Sequence, residues 1–396
     1  MGTEVIIASG VRTAIGDFGG ALAGIAPCEL AANVAREAIA RSGLAAEEVG
    51  QTVFGNVIHT APEDMYLARV AAIRAGVPEG APALTLNRLC GSGLQAVVSA
   101  AEAILLGNAE IALAGGAENM SRAGHLMSTG RFGQKMGDVS ATDMMIGALT
   151  DPFGNGHMGM TAENVAAQYG IDRDQQDGFA VESHRRAAQA IAEGRFDEQI
   201  LPLTVRKGRA EAQFKTDEHV RAGATLDDMR KLRPAFDREG TVTAGNASGI
   251  NDGAAALVLM DAAIAAERGV TPLGRIVSYG LGGVAPGLMG LGPIPAVKQA
   301  MERAGLSVAD MDVIESNEAF AAQACAVAAD LGFPADKTNP NGGAVALGHP
   351  IGASGAILLV KLLYELRRIN GRFGLVTMCI GGGQGIAMIV ENTGAS

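Results

Sequence analysis

Two cysteines that lie far apart in the sequence each occupy a glycine-rich segment. Cys90 belongs to Asn-Arg-Leu-Cys-Gly-Ser-Gly over residues 87–93, and Cys379 begins Cys-Ile-Gly-Gly-Gly. Because glycine has no side chain, the backbone at both places can approach a ligand closely and leave amide N–H groups free for a developing negative charge. A thiol beside free amides is a candidate nucleophile.

Each cysteine also has a structural interpretation. Cys90 precedes a helix predicted from Leu94 to Leu106, and a helix N-terminus favours a thiolate; otherwise Cys90 is a small buried residue in a turn. Cys379 lies at the end of a predicted strand, where it is either a functional residue or a buried residue of the core. If Cys90 carries an acyl group, Cys379 can act as a general acid and base, since a thiol pKa of about 8.5 needs only a modest shift. We assign Cys28 and Cys325, in alanine-rich helical segments, to packing.

Two further residues have chemistry that suits a reactive thiol. His349 lies in Gly-His-Pro-Ile-Gly, directly before an apolar helix, and a histidine that faces a cysteine can act as its base. Its structural alternative is an imidazole that satisfies turn carbonyls. Asn317 follows the strand-like Val313 and Ile314. Its amide can hold a water or donate to an oxyanion, or it can cap a helix over residues 318–331.

An internal repeat shows which elements position these residues. The end of one predicted helix matches the end of another 262 residues later, and Ser92-Gly93 matches Ser354-Gly355 at the same offset. The matched helix-end residues are Ala38, Arg41, Gly43 and Leu44 with Ala300, Arg303, Gly305 and Leu306. Two separated stretches in one register indicate duplication. Packing of the two halves about a pseudo-twofold axis would bring the helix starts near Cys90 and His349 together.

Both repeats continue as strand, helix and strand, which predicts parallel pairing within two similar α/β halves. The first half comprises residues 1–119 and 246–270, and the second half comprises residues 271–396. The first half is interrupted by residues 120–245, which differ in character and contain Pro152, Pro202 and Pro234. We expect this insertion to lie outside the sheet as a loop domain that carries binding residues. Within it we predict helices over 161–169, capped by Thr161, and over 173–193.

Composition limits the partners and the setting. The chain has 396 residues, 48% hydrophobic and 18% charged, and a net charge of −11, which argues against nucleic acid as a partner. A basic segment over 206–209, followed by Arg221, Arg230, Lys231 and Arg233, is either a solvated loop or a seat for a phosphorylated cofactor. No apolar run reaches the roughly 20 residues that span a membrane, and the N-terminus has no export pattern, so we expect a cytoplasmic protein with no membrane partner. Without C-x-x-C spacing, the four cysteines predict reduced thiols.

Four blocks together resemble the signature blocks of the thiolases in order and spacing. They are residues 87–93, Asn-Glu-Ala-Phe at 317–320, Asn-Gly-Gly at 341–343 with Gly-His-Pro-Ile-Gly at 348–352, and Cys-Ile-Gly-Gly-Gly at 379–383. The resemblance runs from Val5 to Glu391. It is greatest to the bacterial biosynthetic β-ketothiolases, or acetyl-CoA acetyltransferases, of the broad short-chain type.

This resemblance implies a fold and a set of catalytic roles. The fold would be α/β with duplicated halves in α-β-α-β-α layers and a loop domain inserted in the first half. Cys90 would be the acylated nucleophile, His349 its activator and Cys379 the acid and base at the α-carbon. Asn317 would position a water, and the amides of Cys90 and Gly381 would form an oxyanion hole. No metal or redox cofactor is implied, because acyl-CoA and CoA are substrates and products, and a homotetramer built as a dimer of dimers is expected.

The resemblance also implies a coenzyme A site. Residues 157–164 and 243–249 are similar to CoA-contacting stretches of the family, and we expect Ser248 at the pantetheine amide and Arg221 at the nucleotide end. Met158 and Met289 would narrow the acyl pocket and favour short chains. The remaining expected contacts are Leu149, Phe236, His157, Ala244, Ala319 and Phe320. Met65, Tyr66 and Leu67 depart from the more polar pattern of strict acetoacetyl-CoA enzymes, and this difference would alter either the width of the pocket or the subunit contacts.

Two alternatives remain open at this point. A degradative 3-ketoacyl-CoA thiolase of fatty-acid β-oxidation would share every catalytic residue. A CoA-binding regulatory protein would use Cys90 and Cys379 as a reversible disulfide, although it would not need Asn317 or His349. We set aside a nucleotide cradle at residues 381–385, because the segment lacks the G-x-G-x-x-G spacing and a following acidic residue.

Overall fold

The computed structural model describes residues 3–208 and 210–394, so that Arg209 of the basic segment lies outside the described residues. Its α-helices are α1 Pro27–Ser42, α2 Leu67–Arg74, α3 Ser92–Leu105, α4 Met144–Ala148, α5 Met158–Tyr169, α6 Arg173–Ala192, α7 Leu226–Arg230, α8 Ala262–Glu267, α9 Pro293–Ala304, α10 Ala321–Leu331, α11 Ala344–Leu347 and α12 Ile351–Ile369.

Its strands are β1 Val5–Thr13, β2 Gly16–Asp17, β3 Gln51–Gly55, β4 Ala83–Leu86, β5 Ile111–Asn119, β6 His125–Leu126, β7 Thr142–Asp143, β8 Thr150–Asp151, β9 Gly156–His157, β10 Ile200–Leu201, β11 Leu203–Lys207, β12 Ala210–Phe214, β13 Asn251–Asp261, β14 Gly274–Gly283, β15 Val313–Ser316, β16 Phe373–Ile380 and β17 Gln384–Glu391. Every residue of β5 is buried, as expected for a strand covered on both faces.

One large mixed sheet runs through the molecule in the order β4-β3-β5-β13-β1-β14-β17-β16-β15. The predicted parallel pairs are present, since β3 is parallel to β5 and β15 is parallel to β16. Antiparallel β13 and β17 complete each half. The halves join where Ile6 and Ile7 of β1 pair with β14.

The duplication predicted from the sequence is visible element by element. Strands β3 and β15 begin 262 residues apart, as do β5 and β16, and α1 and α9 end 262 residues apart. Both helices end on a glycine in the left-handed conformation, Gly43 and Gly305. The sequence matches therefore mark equivalent helix ends and strands in two α/β halves.

Helices α3 and α12 pack against each other between the two halves of the sheet. Their close approach depends on glycine, because a Cβ on Gly93 would lie 2.8 Å from the backbone nitrogen of Ala356, and one on Gly355 would lie 2.4 Å from that of Leu94. The repeated Ser-Gly pairs thus place the first turns of α3 and α12 side by side. Cys90 precedes one of these helices and His349 the other.

The insertion differs from the prediction in two respects. It was expected to stay outside the sheet, but β10 pairs in parallel with β1, so that expectation was wrong. A pairing of only two residues needs no long apolar run, so the sequence pattern does not predict it. The helix predicted from Thr161 instead begins at Met158, and its cap is His157, whose side chain accepts from the amide of Gly159. A histidine is a less common cap than threonine, which explains the error.

A buried ion pair fixes the insertion to the first half. The guanidinium of Arg12 lies 2.8 Å from the carboxylate of Asp217, both side chains are fully buried, and Asp217 also accepts from the amide of Ile15. The next residue, Glu218, accepts from the amides of Asp17 and Ala21. Within residues 3–208 and 210–394, no helix is both long and apolar enough to cross a membrane.

Candidate active site

One cavity of about 390 Å³ lies between the two halves and the insertion. Of the residues predicted for the site, all except Asn317 line it. They are Cys90, Leu149, His157, Met158, Arg221, Phe236, Ala244, Ser248, Met289, Ala319, Phe320, His349, Cys379 and Gly381. The structure therefore brings the predicted thiols, the imidazole and the expected CoA contacts to a single place.

A strained turn presents Cys90 to the cavity. Leu89 has φ 45°, in the left-handed region that non-glycine residues avoid at a cost of about 1–3 kcal/mol. The hydroxyl of Ser92 stabilises the turn by accepting from the amide of Arg88 and donating to the carbonyl of Leu89, at 2.8 and 2.6 Å. Gly91 allows the turn to approach β16, because a Cβ there would lie 2.5 Å from Ile380 Cδ1.

The resting state of Cys90 is a thiol. Burial raises its pKa to about 11, although hydrogen bonds from the amides of Gly381 and of Cys90 itself oppose the shift. The expectation that the helix N-terminus would stabilise a thiolate was therefore wrong for the unliganded protein, because desolvation outweighs the amide groups. Both amides therefore lie next to the Cys90 sulfur.

His349 is held on three sides by the second half and β13. Its backbone N–H donates to Asn251 Oδ1 at 2.9 Å, its Nδ1 lies 2.6 Å from Ser354 Oγ, and its Nε2 lies 3.5 Å from Asn317 Nδ2. Burial lowers the pKa of His349 to about 4, so the imidazole is neutral near pH 7. A neutral imidazole can accept a proton from a thiol.

Asn317 is not a helix cap, because α10 begins at Ala321 rather than at residue 318. Its backbone N–H donates to the carbonyl of Thr377 on β16, and its side chain faces His349 from a small neighbouring cavity. Ser316, the residue before Asn317, is fixed by Asn339, whose φ is 45°. Asn339 Oδ1 accepts from the Ser316 N–H, and Asn339 Nδ2 donates to the Ser316 carbonyl. Asn317 thus reaches the site through His349.

Cys379 lies near the end of β16 and is 1% exposed. Burial, and next the nearby Cys90, raise the pKa of its thiol. The site therefore combines two protonated thiols with one neutral imidazole.

Apolar side chains surround the reactive groups. Met158, Met289, Ala319, Phe320 and Cys379 belong to one buried cluster. A Cβ on Gly381 would lie 2.9 Å from Met158 Cε, so this methionine closes the cavity beside Gly381. Such walls exclude water and limit the volume that a ligand can occupy.

Aromatic rings and backbone bonds position the wider part of the cavity. The ring of His157 stacks on Phe236 at 4.6 Å, and Phe236 meets Phe320 edge-on at 6.2 Å. Burial lowers the pKa of His157. The backbone N–H of Ser248 donates to the carbonyl of Ala319, which fixes the 243–249 loop against the Asn-Glu-Ala-Phe block.

Arg221 is exposed at the outer end of the first cavity. Arg221 and Ala244 also line a second cavity of about 410 Å³. Its backbone N–H donates to Nδ1 of His184.

Sequence reasoning missed His219 and Asn251. His219 lines both cavities with its Nδ1 2.5 Å from Asp17 Oδ1, and Asn251 supports the His349 backbone. Each lies outside the recognised blocks, so only the fold reveals its position. Met65 and Tyr66 are 62% and 65% exposed and do not line the cavity. Their difference from the more polar family pattern therefore lies on the protein surface and not in the pocket.

The fold and the site define a class of enzyme in which two duplicated α/β halves place a nucleophilic thiol, a neutral imidazole and a second thiol around one apolar cavity. The chain belongs to the thiolase family. Residues 5–263 match the thiolase N-terminal domain, and residues 270–392 match the thiolase C-terminal domain.

Similar proteins agree over the whole length. The chain is 61% identical to a protein named beta-ketothiolase BktB from Cupriavidus necator, over 99% of this chain and 100% of that one. It is 53% identical to an acetyl-CoA acetyltransferase from the same organism, over 98% and 99%. A crystal structure of human mitochondrial 3-ketoacyl-CoA thiolase in complex with CoA superposes with a TM-score of 0.96 at 41% identity, over 99% and 98%.

Proposed function

We propose that this protein is an acetyl-CoA acyltransferase that reversibly condenses two short acyl-CoA molecules into a 3-ketoacyl-CoA and free CoA. The principal support is the convergence of Cys90, His349 and Cys379 on one apolar cavity. Similarity to a beta-ketothiolase and an acetyl-CoA acetyltransferase favours acetyl-CoA as one substrate. We propose acetyl-CoA or propionyl-CoA as the second. Two thiols and an imidazole supply the chemistry, and CoA enters only as substrate and product.

In the cleavage direction, the proton of Cys90 passes to neutral His349 and the thiolate attacks the 3-keto carbon. The bond between the α- and β-carbons breaks, leaving an acyl group on Cys90 and the enolate of acetyl-CoA. Because burial keeps Cys379 protonated, its thiol can protonate the α-carbon and become a thiolate. Asn317 and His349 hold a water that stabilises the enolate.

Free CoA then completes the cycle. The Cys379 thiolate first recovers a proton from protonated His349. The thiol of CoA then gives its proton to the neutral His349, its sulfur attacks acyl-Cys90, and the released Cys90 thiolate takes that proton back from His349. The amides of Cys90 and Gly381 stabilise the tetrahedral oxyanion. Condensation follows the same steps in reverse, with Cys379 removing the α-proton.

The wider part of the cavity would hold CoA itself. Ser248 and Leu149 lie where the pantetheine arm would pass, and His157 and Phe236 form an aromatic wall beside it. Arg221 supplies positive charge at the outer end, which suits the nucleotide phosphates.

The test is CoA-dependent cleavage of 3-ketoacyl-CoA substrates of four, five, six and ten carbons, with Cys90→Ala as the blank. We expect activity to be confined to the shortest members. A maximum at ten carbons would reassign the enzyme to fatty-acid degradation. Absence of activity with every substrate would overturn the proposal and favour a regulatory CoA-binding protein with a Cys90–Cys379 disulfide.

Replacing Met158 by alanine is expected to shift preference towards longer acyl chains, because its thioether closes the cavity beside Gly381. Filling the vacated space with one or two methylene groups should change the ratio of kcat/KM for six over four carbons by about 10-fold or more. Met301→Ala is the matched control, since Met301 is buried in a separate cluster. An unchanged ratio in Met158→Ala would show that Met158 does not limit the acyl pocket.

A homotetramer, as a dimer of dimers, requires two separate self-associating surfaces. The segment between β6 and β7 exposes Met127, Phe132 and Met136, with Phe132 91% exposed. The second surface is strand β4 at the edge of the sheet, where Leu84 is exposed. Exposed apolar patches of this kind are typical of protein interfaces, and edge strands are typical pairing sites.

We therefore expect light scattering to give four times the chain mass of 40.3 kDa. Substituting Phe132 and Met136 by serine should leave a dimer that retains the four-carbon activity. If the native protein were a monomer, the prediction that these two surfaces mediate self-association would be wrong.

A further inference from the structure

We propose that Ser354 is a positioning residue that holds His349 in the tautomer with its proton on Nδ1, leaving Nε2 free to act as the base. The inference deepens the proposed function, because it rests on His349 as the base for Cys90. A hydroxyl in this position is an uncommon partner for a catalytic histidine, for which a carboxylate is the familiar choice.

The hydroxyl hydrogen of Ser354 is already committed. Ser354 is 4% exposed in the first turn of α12, and its Oγ donates to the carbonyl of Pro350 at 2.9 Å. A carbonyl can only accept, and a serine hydroxyl has one hydrogen to donate. The contact of 2.6 Å between Ser354 Oγ and His349 Nδ1 therefore has the imidazole N–H donating to the hydroxyl oxygen.

The opposite edge of the ring agrees with this assignment. Asn317 Nδ2 is a donor group, and it lies 3.5 Å from His349 Nε2. A lone pair on Nε2 suits this neighbour, whereas a second N–H there would face it. Because the backbone N–H of His349 is fixed by Asn251, the loop has little freedom to rotate the ring away from this arrangement.

The arrangement also suits the protonated state. When Nε2 receives the proton of Cys90, Nδ1–H keeps its acceptor in Ser354, so neither form of the imidazole has an unsatisfied buried Nδ1 group. Because the hydroxyl is neutral, it does not stabilise the cation as a carboxylate would. The imidazolium therefore returns its proton readily.

The repeat provides an internal comparison. Ser92 occupies the equivalent position in the first half, and its hydroxyl serves only its own loop by bonding the backbone of Arg88 and Leu89. In the second half the same position instead contacts a side chain, that of His349. The duplicated serine thus supports the nucleophile in one half and the base in the other.

The experiment compares Ser354→Ala and Ser354→Thr with the native enzyme in cleavage of acetoacetyl-CoA. Ser42→Ala is the matched control, because Ser42 is also a buried helix serine that donates to a backbone carbonyl, at 2.6 Å from Ile39 O, and it lies away from the cavity. Alkylation of Cys90 by iodoacetamide at pH 7, located by mass spectrometry, measures formation of the thiolate directly.

In Ser354→Ala the buried Nδ1–H would have no acceptor, so the ring would favour the tautomer protonated on Nε2, which is not a base. We expect kcat to fall by about 10- to 100-fold, a part of the 100- to 10,000-fold that general-base catalysis supplies. KM should stay unchanged, alkylation of Cys90 should slow in parallel, and Ser354→Thr should restore both rates.

Unchanged kcat and alkylation in a folded Ser354→Ala, with the native enzyme active, would overturn this inference alone. Equal losses in Ser354→Ala and Ser42→Ala would also overturn it by showing a general packing effect. A native enzyme without cleavage activity would instead refute the proposed function.

Discussion

Replacing Cys90 by alanine is expected to abolish both cleavage and condensation, with a loss of at least about 10,000-fold in kcat, as for removal of other covalent nucleophiles. No acyl group can be held without the sulfur. The measurement is the rate of acetoacetyl-CoA cleavage together with the intact mass of the protein after incubation with acetyl-CoA. The native chain should gain one acetyl group and Cys90→Ala none.

Cys325→Ala provides the control for loss of a cysteine. Cys325 is a half-buried residue of α10 outside the cavity lining, so its removal should leave activity and acetylation at the native level. Full turnover by Cys90→Ala would mean that another group is the nucleophile. Inactivity of Cys325→Ala would mean that the assay reports folding instead of chemistry.

Much of the site could be predicted because its residues lie in short motifs that are recognisable in the sequence. The glycines around Cys90 and after Cys379, and the turn that contains His349, are short segments whose residue types already indicate close backbone approach. The offset of 262 residues then predicted that two helix starts would meet, and the packing of α3 against α12 realises that arrangement. Duplication converted local motifs into a long-range prediction.

The protonation state of the thiols could not be predicted from such local motifs. A helix N-terminus is visible in sequence and favours a thiolate, whereas burial is a property of the completed fold and acts in the opposite direction. For Cys90 burial is the larger effect, and it raises the pKa to about 11. The error over β10 has a related origin, since a two-residue pairing with β1 depends on where Arg12 and Asp217 bring the chain together.

The two halves contribute different parts of the chemistry. The first half supplies Cys90, and the second supplies His349, Asn317 and Cys379, so neither half could form the site alone. The expected division of labour is testable, because acyl transfer between sulfurs needs only Cys90 and His349, whereas breaking or forming a carbon–carbon bond also needs a proton at the α-carbon.

Cys379→Ala is therefore expected to separate the two steps. Cleavage of acetoacetyl-CoA should fall by about 100- to 10,000-fold, the usual contribution of a positioned general acid. Exchange of labelled CoA into acetyl-CoA should continue, because the proton of Cys90 reaches the departing CoA sulfur through His349 without involving Cys379. The measurement is both rates on the same preparation, with thermal unfolding to confirm that loss of one buried sulfur leaves the fold intact.

His349→Ala is the informative counterpart, because it should slow exchange and cleavage together. If Cys379→Ala loses exchange to the same extent as cleavage, the second thiol takes part in acylation and the assignment of separate roles is wrong. If it loses neither, the α-carbon proton comes from another group in the cavity. Retained exchange with lost cleavage would mean that the first thiol transfers the acyl group and the second controls the carbon acid, in agreement with two protonated thiols beside the neutral imidazole of His349.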